Sequence, residues 1–217
     1  MSQNLLSPPQ FDADFRAQFE TLLNWRRDVR RFTIQPVPPD LIGHLLDLAQ
    51  LSPSVGNSQP WRWVQVNSAA KRAEVRANFL KCNEAAQQKH HDERAQLYAS
   101  LKLEGIDRAP LQFGIFCDHA TPQGDGLGQQ TMPETLDYST VAMITTFWLA
   151  ARAAGLGVGW VSIIDPAAIT AILEVPPSWK LIAYLCVGWP EEEHNIPELV
   201  RYNWQSRTDM GRRVKVI

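Results

Sequence analysis

Residues 136–154 are the most apolar stretch of the chain, and they leave it few folds to adopt. Leu136, Met143, Ile144, Phe147, Trp148, Leu149 and several alanines put hydrophobic groups nearly all round a helix. Such a helix needs cover on most sides and belongs at the centre of a domain. It is no membrane span, because Thr145, Thr146 and Arg152 interrupt residues 141–154 and the run is too short for a bilayer. The 217 residues suit a single domain over 1–217, with an N-terminal arm at 1–12 and a C-terminal arm at 189–217.

The flanking pattern supplies the other layers. Phe15, Phe19, Leu22 and Leu23 recur at helical spacing. Pro39 and Asp40 open a second helix through Gln50, with Leu41, Ile42, Leu45, Leu46 and Ala49 on its inner face. Residues 69–103 are polar and helix-prone, and Asp165-Pro166 caps a short helix reaching 174. Strand-like runs stand at 61–66, 111–117, 158–164 and 181–187. Helices and strands do not alternate strictly, so the expectation is α+β: a mixed sheet flanked by helices around a central buried helix, with an extended C-terminal arm.

Charge and cysteine usage narrow the function classes. A net charge of -2 gives no electrostatic reason to bind nucleic acid or an anionic membrane. Cys82, Cys117 and Cys186 show neither CxxC nor Cys/His spacing, so no metal is expected and a reducing, cytoplasmic setting is. Residues 1–10 have no signal-peptide core. His90-His91 sit among Lys89, Asp92 and Glu93 and read as solvated surface rather than metal ligands. Gly124, Gly126 and Gly128 belong to a loop and do not open a helix as a phosphate-binding fingerprint would.

Three stretches carry chemistry. Trp25-Arg26-Arg27-Asp28-Val29-Arg30-Arg31 sets four guanidinium forks around one carboxylate, and such forks match phosphate. Residues 52–60 form a loop with Ser54, Gly56, Asn57, Ser58 and Gln59, where backbone can approach a ligand closely. Gly155-Leu156-Gly157-Val158-Gly159 then leads to Trp160 and Ser162. A planar, polar-edged, phosphorylated ligand would use all three, although each alone is also an ordinary turn.

These stretches, in this order, resemble the flavin site of the FMN-dependent nitroreductase family, over about residues 15–207. The likeness is greatest to its 5,6-dimethylbenzimidazole synthase branch, through Asp28 within the arginine cluster, Tyr138-Ser139-Thr140, the run from Trp148 to Ala153 and Gly159-Trp160-Val161-Ser162. The resemblance implies a homodimer with FMN at the subunit interface. Arg26, Arg27 and Arg30 would hold the phosphate and the ring edge, with Val29 beside them, and Arg207 would approach the phosphate. Ser54 and Ser58 would lie against the flavin, and Gly157, Val158 and Gly159 would offer amides to the ring. Asp28 and Ser162 would be the catalytic pair, Asp28 as acid/base and Ser162 steering oxygen.

The implied reaction consumes the flavin. FMNH2 and O2 would give 5,6-dimethylbenzimidazole, the cobalamin lower ligand, and erythrose 4-phosphate, with a separate flavin reductase as a candidate source of FMNH2. The alternatives are an NAD(P)H-dependent FMN nitroreductase or flavin oxidoreductase, and a flavin- or corrinoid-binding carrier. Asn57-Ser58 depart from the branch's more apolar pair. The segment around His90 and the loop after Asp118, expected to form a lid, match loosely.

Overall fold

The apolar run is helix α5 (Thr135–Ala153), and it lies across one face of a four-stranded sheet. The computed structural model describes residues 7–208, 211 and 214–217. Before α5 come α1 (Ala13–Trp25), α2 (Pro39–Ala49), β1 (Trp61–Gln65), α3 (Ala69–Gln87), α4 (Asp92–Ser100) and β2 (Leu111–Asp118). After it come β3 (Gly157–Val161), α6 (Pro166–Ile172), β4 (Trp179–Gly188) and α7 (Glu198–Arg201). Among the described residues no helix is long and apolar enough to cross a membrane.

The strands run in the order β1-β2-β4-β3, and every strand pair is antiparallel. The mixed character expected of the sheet is confined to one isolated parallel bridge between Asp28 and Val158. Both faces of the sheet are covered, which explains why β2 and β4 are apolar along nearly their whole length. Alternate residues serve opposite cores. Ala183, Leu185 and Val187 of β4 pack with Phe113, Ile115 and α5, whereas Tyr184 and Cys186 face Phe32, Val75, Phe79 and Ile169.

Helix α5 is central but not covered all round. Met143, Ile144, Phe147 and Ala151 are fully buried, while Tyr138 and Val141 remain exposed. Helix α1 packs against it and buries none of its own residues, leaving Phe15, Phe19 and Leu23 at 44–47% exposure. Among the described residues only Phe11 reaches that strip, its ring 4.7 Å from that of Phe15 and itself exposed.

The helix-prone stretch at 69–103 divides into α3 and α4. The break falls at 88–91, with Asp92 in the left-handed region at φ 52°. There the structure corrects the solvated reading of His90. The turn presses its ring against Tyr98 (centroids 4.9 Å apart) and edge-on to Trp204 (5.4 Å), while His91 stays exposed. The C-terminal arm is likewise docked over its first half. Thr33 donates to the Trp189 carbonyl, Glu191 donates to the Arg31 carbonyl, and Arg31 pairs with Glu198 of α7.

The segment after α1 is laid along β3, and two glycines make room for it. A methyl group at Gly159 would stand 2.1 Å from the Val29 carbonyl oxygen, and one at Gly157 would stand 2.7 Å from the Val29 side chain. Backbone cannot yield as a flexible side-chain tip does. Gly159→Ala should therefore cost roughly 3 kcal/mol of stability. Gly43→Ala, in a helix interior with nothing within 4 Å of the added methyl, should gain about 0.5–1 kcal/mol. Chemical denaturation of both variants checks the contrast.

Candidate functional site

The site begins where α1 ends at Trp25 and residues 26–30 turn onto the free edge of β3. Val29 N–H donates to the Val158 carbonyl at 3.0 Å, and Trp160 N–H donates to Asp28 Oδ1 at 2.8 Å. Backbone groups alternate along a strand. With Val158 and Trp160 turned toward this segment, the amides of Gly157 and Gly159 face β4, where they pair with Gly188 and Cys186. This corrects the expectation that Gly157 and Gly159 present amides to a ligand, while the Val158 backbone faces residues 26–30. In this chain the glycines admit Val29, the Val158 carbonyl holds it, and the Val29 side chain packs over Gly157 into the core.

Asp28 is gripped from two sides. Arg30 donates to Oδ2 through Nε and Nη2, both at 2.8 Å, and anchors its Nη1 on the Lys102 carbonyl at 2.9 Å. Burial pushes the Asp28 carboxyl above its ordinary value; Arg30 and the Trp160 amide pull it back without reversing the shift. The competition between burial and neighbouring cations, open at the level of sequence, thus goes to burial. Arg30 takes up both acceptor positions of Oδ2, whereas Oδ1 keeps one beyond the Trp160 bond.

The four arginines separate into two kinds. Arg30 is paired with Asp28, and Arg31 with Glu198 and Glu192. Among the described residues no carboxylate pairs with Arg26, Arg27 or Arg207. Arg26 lies 5.1 Å from the centroid of Trp148, whose Nε1 donates to the Arg27 carbonyl. Arg27 donates to the carbonyls of Asn195 and Arg26. Burial first, then Arg207 and Arg26, lower the Arg27 pKa. Like charges gathered without counter-charge make a place for an anion. Arg26, Arg27 and Arg207 line one recess of about 270 Å³ together with Asp28, Arg30, Glu198 and Leu199.

Ser54, Ser58 and Ser162 stand apart from this recess. The Ser54 loop is held near the start of α5, where Val55 N–H donates to Ser139 Oγ at 3.0 Å. Trp148, which touches the arginine segment, lies nine residues further along α5, roughly 13 Å at 1.5 Å per residue. Ser54 Oγ accepts from the Gln59 amide. Ser58 is fully buried and its hydroxyl has no hydrogen-bond partner among the described residues. Ser162 is exposed just past the end of β3, two residues after Trp160.

Sequence reasoning missed three participants. Lys102 contributes through its carbonyl, which no side-chain pattern reveals. Asn195 also acts through its carbonyl. Glu198 does act through a side chain, but it lies 167 positions from Arg31. One further cluster, Cys117, His119 and Asp137, has metal-ligand atoms within 4.8 Å of one another. Its Asp137 carboxylate is shared by His119 and Lys180, and burial pushes the Cys117 thiol up to about 12, so it ties the strand ends to α5 as an ion-paired knot.

Comparison with known proteins gives the chain its family. The model of the nitroreductase family matches residues 23–189. A 5,6-dimethylbenzimidazole synthase of Rhodospirillum rubrum is 56% identical over 199 residues, 92% of this chain and 94% of that protein. One from Rhodobacter capsulatus is 46% identical over 195 residues, 90% of this chain and 94% of that protein. Among solved structures, oxidized iodotyrosine deiodinase bound to FMN and 3-iodo-L-tyrosine superposes with a TM-score of 0.68 at 19% identity, covering 81% of this chain and 91% of that one. That last likeness is one of fold.

Proposed function

This chain belongs to the nitroreductase family, and we propose that within it the protein is a 5,6-dimethylbenzimidazole synthase. In that reading it binds FMNH2 as a substrate and, with O2 as the oxidant, fragments it to 5,6-dimethylbenzimidazole, erythrose 4-phosphate and the remaining pyrimidine part of the ring. The observation that carries the reading is a carboxylate, Asp28, in the same recess as three arginines that, among the described residues, no carboxylate pairs with. A phosphate monoester seated on Arg26, Arg27 and Arg207 leaves the atoms beyond it to Asp28. A carboxyl with a raised pKa holds its proton more readily than an ordinary aspartate, which suits an acid/base. The high identity to two proteins of that name supports the same assignment.

The residues divide the work as follows. Arg26, Arg27 and Arg207 bind phosphate. Arg30 and the Trp160 amide orient Asp28, which moves a proton at the ribityl carbon attached to the ring. Ser162, exposed beyond Trp160, meets the oxygen-reactive edge of the ring. FMNH2 supplies the electrons and a separate flavin reductase delivers it. The protein works in the cytoplasm, in keeping with its three free cysteines.

Ser54 and Ser58 enter this scheme from a second copy of the chain. Two observations support a homodimer: the uncovered strip of Phe15, Phe19 and Leu23, and the distance along α5 between the serine loop and the arginine recess. The orphan Ser58 hydroxyl gains a partner when a polar ligand reaches that loop.

Four outcomes are expected. Asp28→Asn should still bind FMN but return intact flavin when the reduced complex meets air, whereas the unaltered protein releases 5,6-dimethylbenzimidazole; chromatography of the products decides. Product formed by the variant at the normal rate would sink the assignment of Asp28. Because the carboxyl is raised and acts as its base form, the rate of the unaltered protein should fall as pH drops through a limb above the ordinary Asp value of about 3.9; the pH profile of single turnovers locates that limb. Arg27→Ala should weaken FMN about tenfold or more and leave riboflavin affinity unchanged, measured by fluorescence titration. Light scattering should find a dimer, and Phe19→Asp should shift it toward monomer with loss of turnover.

A further inference from the structure

We propose that Trp204 is a positioning residue, held in an aromatic clasp by the α3–α4 segment, that sets where Arg207 stands in the phosphate recess. The inference rests on the assignment of that recess to phosphate.

Trp204 is placed by two independent sets of contacts. Its backbone closes the end of α7. Asn203 takes the left-handed conformation at φ 56°, its N–H donates to the Val200 carbonyl, and Trp204 N–H donates to the Leu199 carbonyl at 2.8 Å. This is the paired hydrogen-bond pattern that terminates helices firmly. The indole then meets the other side of the molecule. Arg94 lies 3.8 Å from its ring centroid, His90 stands edge-on at 5.4 Å and Tyr98 at 5.9 Å. Tyr98 is itself buried and donates its hydroxyl to Asn83 of α3 at 2.8 Å, so the clasp is fixed to the body of the fold.

Three residues further on, Arg207 is exposed and shares the recess with Arg26 and Arg27. Trp204 is the last side chain before it that is tied to another element. An arginine on a loose tail would lose much freedom on meeting a phosphate, and anchoring the preceding residue lowers that cost. The same α4 segment continues to Lys102, whose carbonyl anchors Arg30. One short helix thus steadies a cation on each side of the site: Arg207 through the clasp and Arg30 through a main-chain oxygen.

The test is a double-mutant cycle on the full chain, with FMN and riboflavin titrated in parallel. Trp204→Ala should weaken FMN about tenfold, as Arg207→Ala does, with riboflavin affinity unchanged. Unchanged riboflavin binding also shows that the rest of the site is folded. The double variant should be no weaker than Arg207→Ala alone, Trp204→Phe should restore most of the affinity, and Arg94→Ala, which opens one face of the clasp without touching buried groups, should give a smaller loss of the same kind. Equal losses for FMN and riboflavin, or losses that multiply in the double variant, would overturn the coupling. If Arg27→Ala also leaves the preference for FMN over riboflavin intact, the phosphate recess itself is wrong, and the clasp falls with it.

Discussion

The docking of residues 28–29 on the edge of β3 is the contact on which the site depends. It consists of one backbone bond, Val29 N–H to the Val158 carbonyl, and one bond from the Trp160 amide to the Asp28 side chain. Through it the free edge of a sheet is covered and a carboxylate is aimed at the same time. The arginines on either side inherit their directions from that placement. Arg26 and Arg27 turn toward Trp148 and the tail, and Arg30 turns back on Asp28.

The electrostatics follow a division of labour that the count of arginines conceals. Two of the four are neutralised, Arg30 by Asp28 two residues away and Arg31 by Glu198 from the C-terminal arm, so their role lies in geometry. The two that remain, joined by Arg207, hold charge in reserve for a ligand. The desolvation that raises Asp28 would make a full cluster of unpaired cations costly, and pairing Arg30 locally keeps the carboxylate charged only against resistance. A carboxyl with a raised pKa and arginines that no described carboxylate pairs with therefore line one recess.

Much of this was legible in the sequence, for physical reasons that can be named. The apolar run at 136–154, the four strand-like runs and the helix opened by Pro39 and Asp40 all appear close to where hydrophobic period and turn residues place them. The arginine cluster around Asp28 also appears as one site with the β3 region. What the residues concealed was direction. Glycines at 157 and 159 look the same whether they expose amides to a ligand or admit another strand, and only the register with β4 tells them apart. His90 looked solvated because its neighbours in sequence are charged, yet its neighbours in space are aromatic. Lys102 and Asn195 take part through carbonyl oxygens, which carry no signature of residue type. The serines of the 52–60 loop match a flavin-site pattern but lie away from the arginines of their own chain, a separation along α5 that the order of motifs in the sequence does not reveal.

The bond from Trp160 to Asp28 has a consequence for how variation is tolerated around the site. Its donor is a main-chain amide, so every residue at position 160 except proline supplies it. The identity that must be preserved lies instead at 159 and 157, whose lack of a side chain lets the segment approach. Relatives that share this geometry should be free to exchange the aromatic ring while remaining bound to the two small residues before it, and the chemistry of the carboxylate is thereby guarded by positions that do no chemistry.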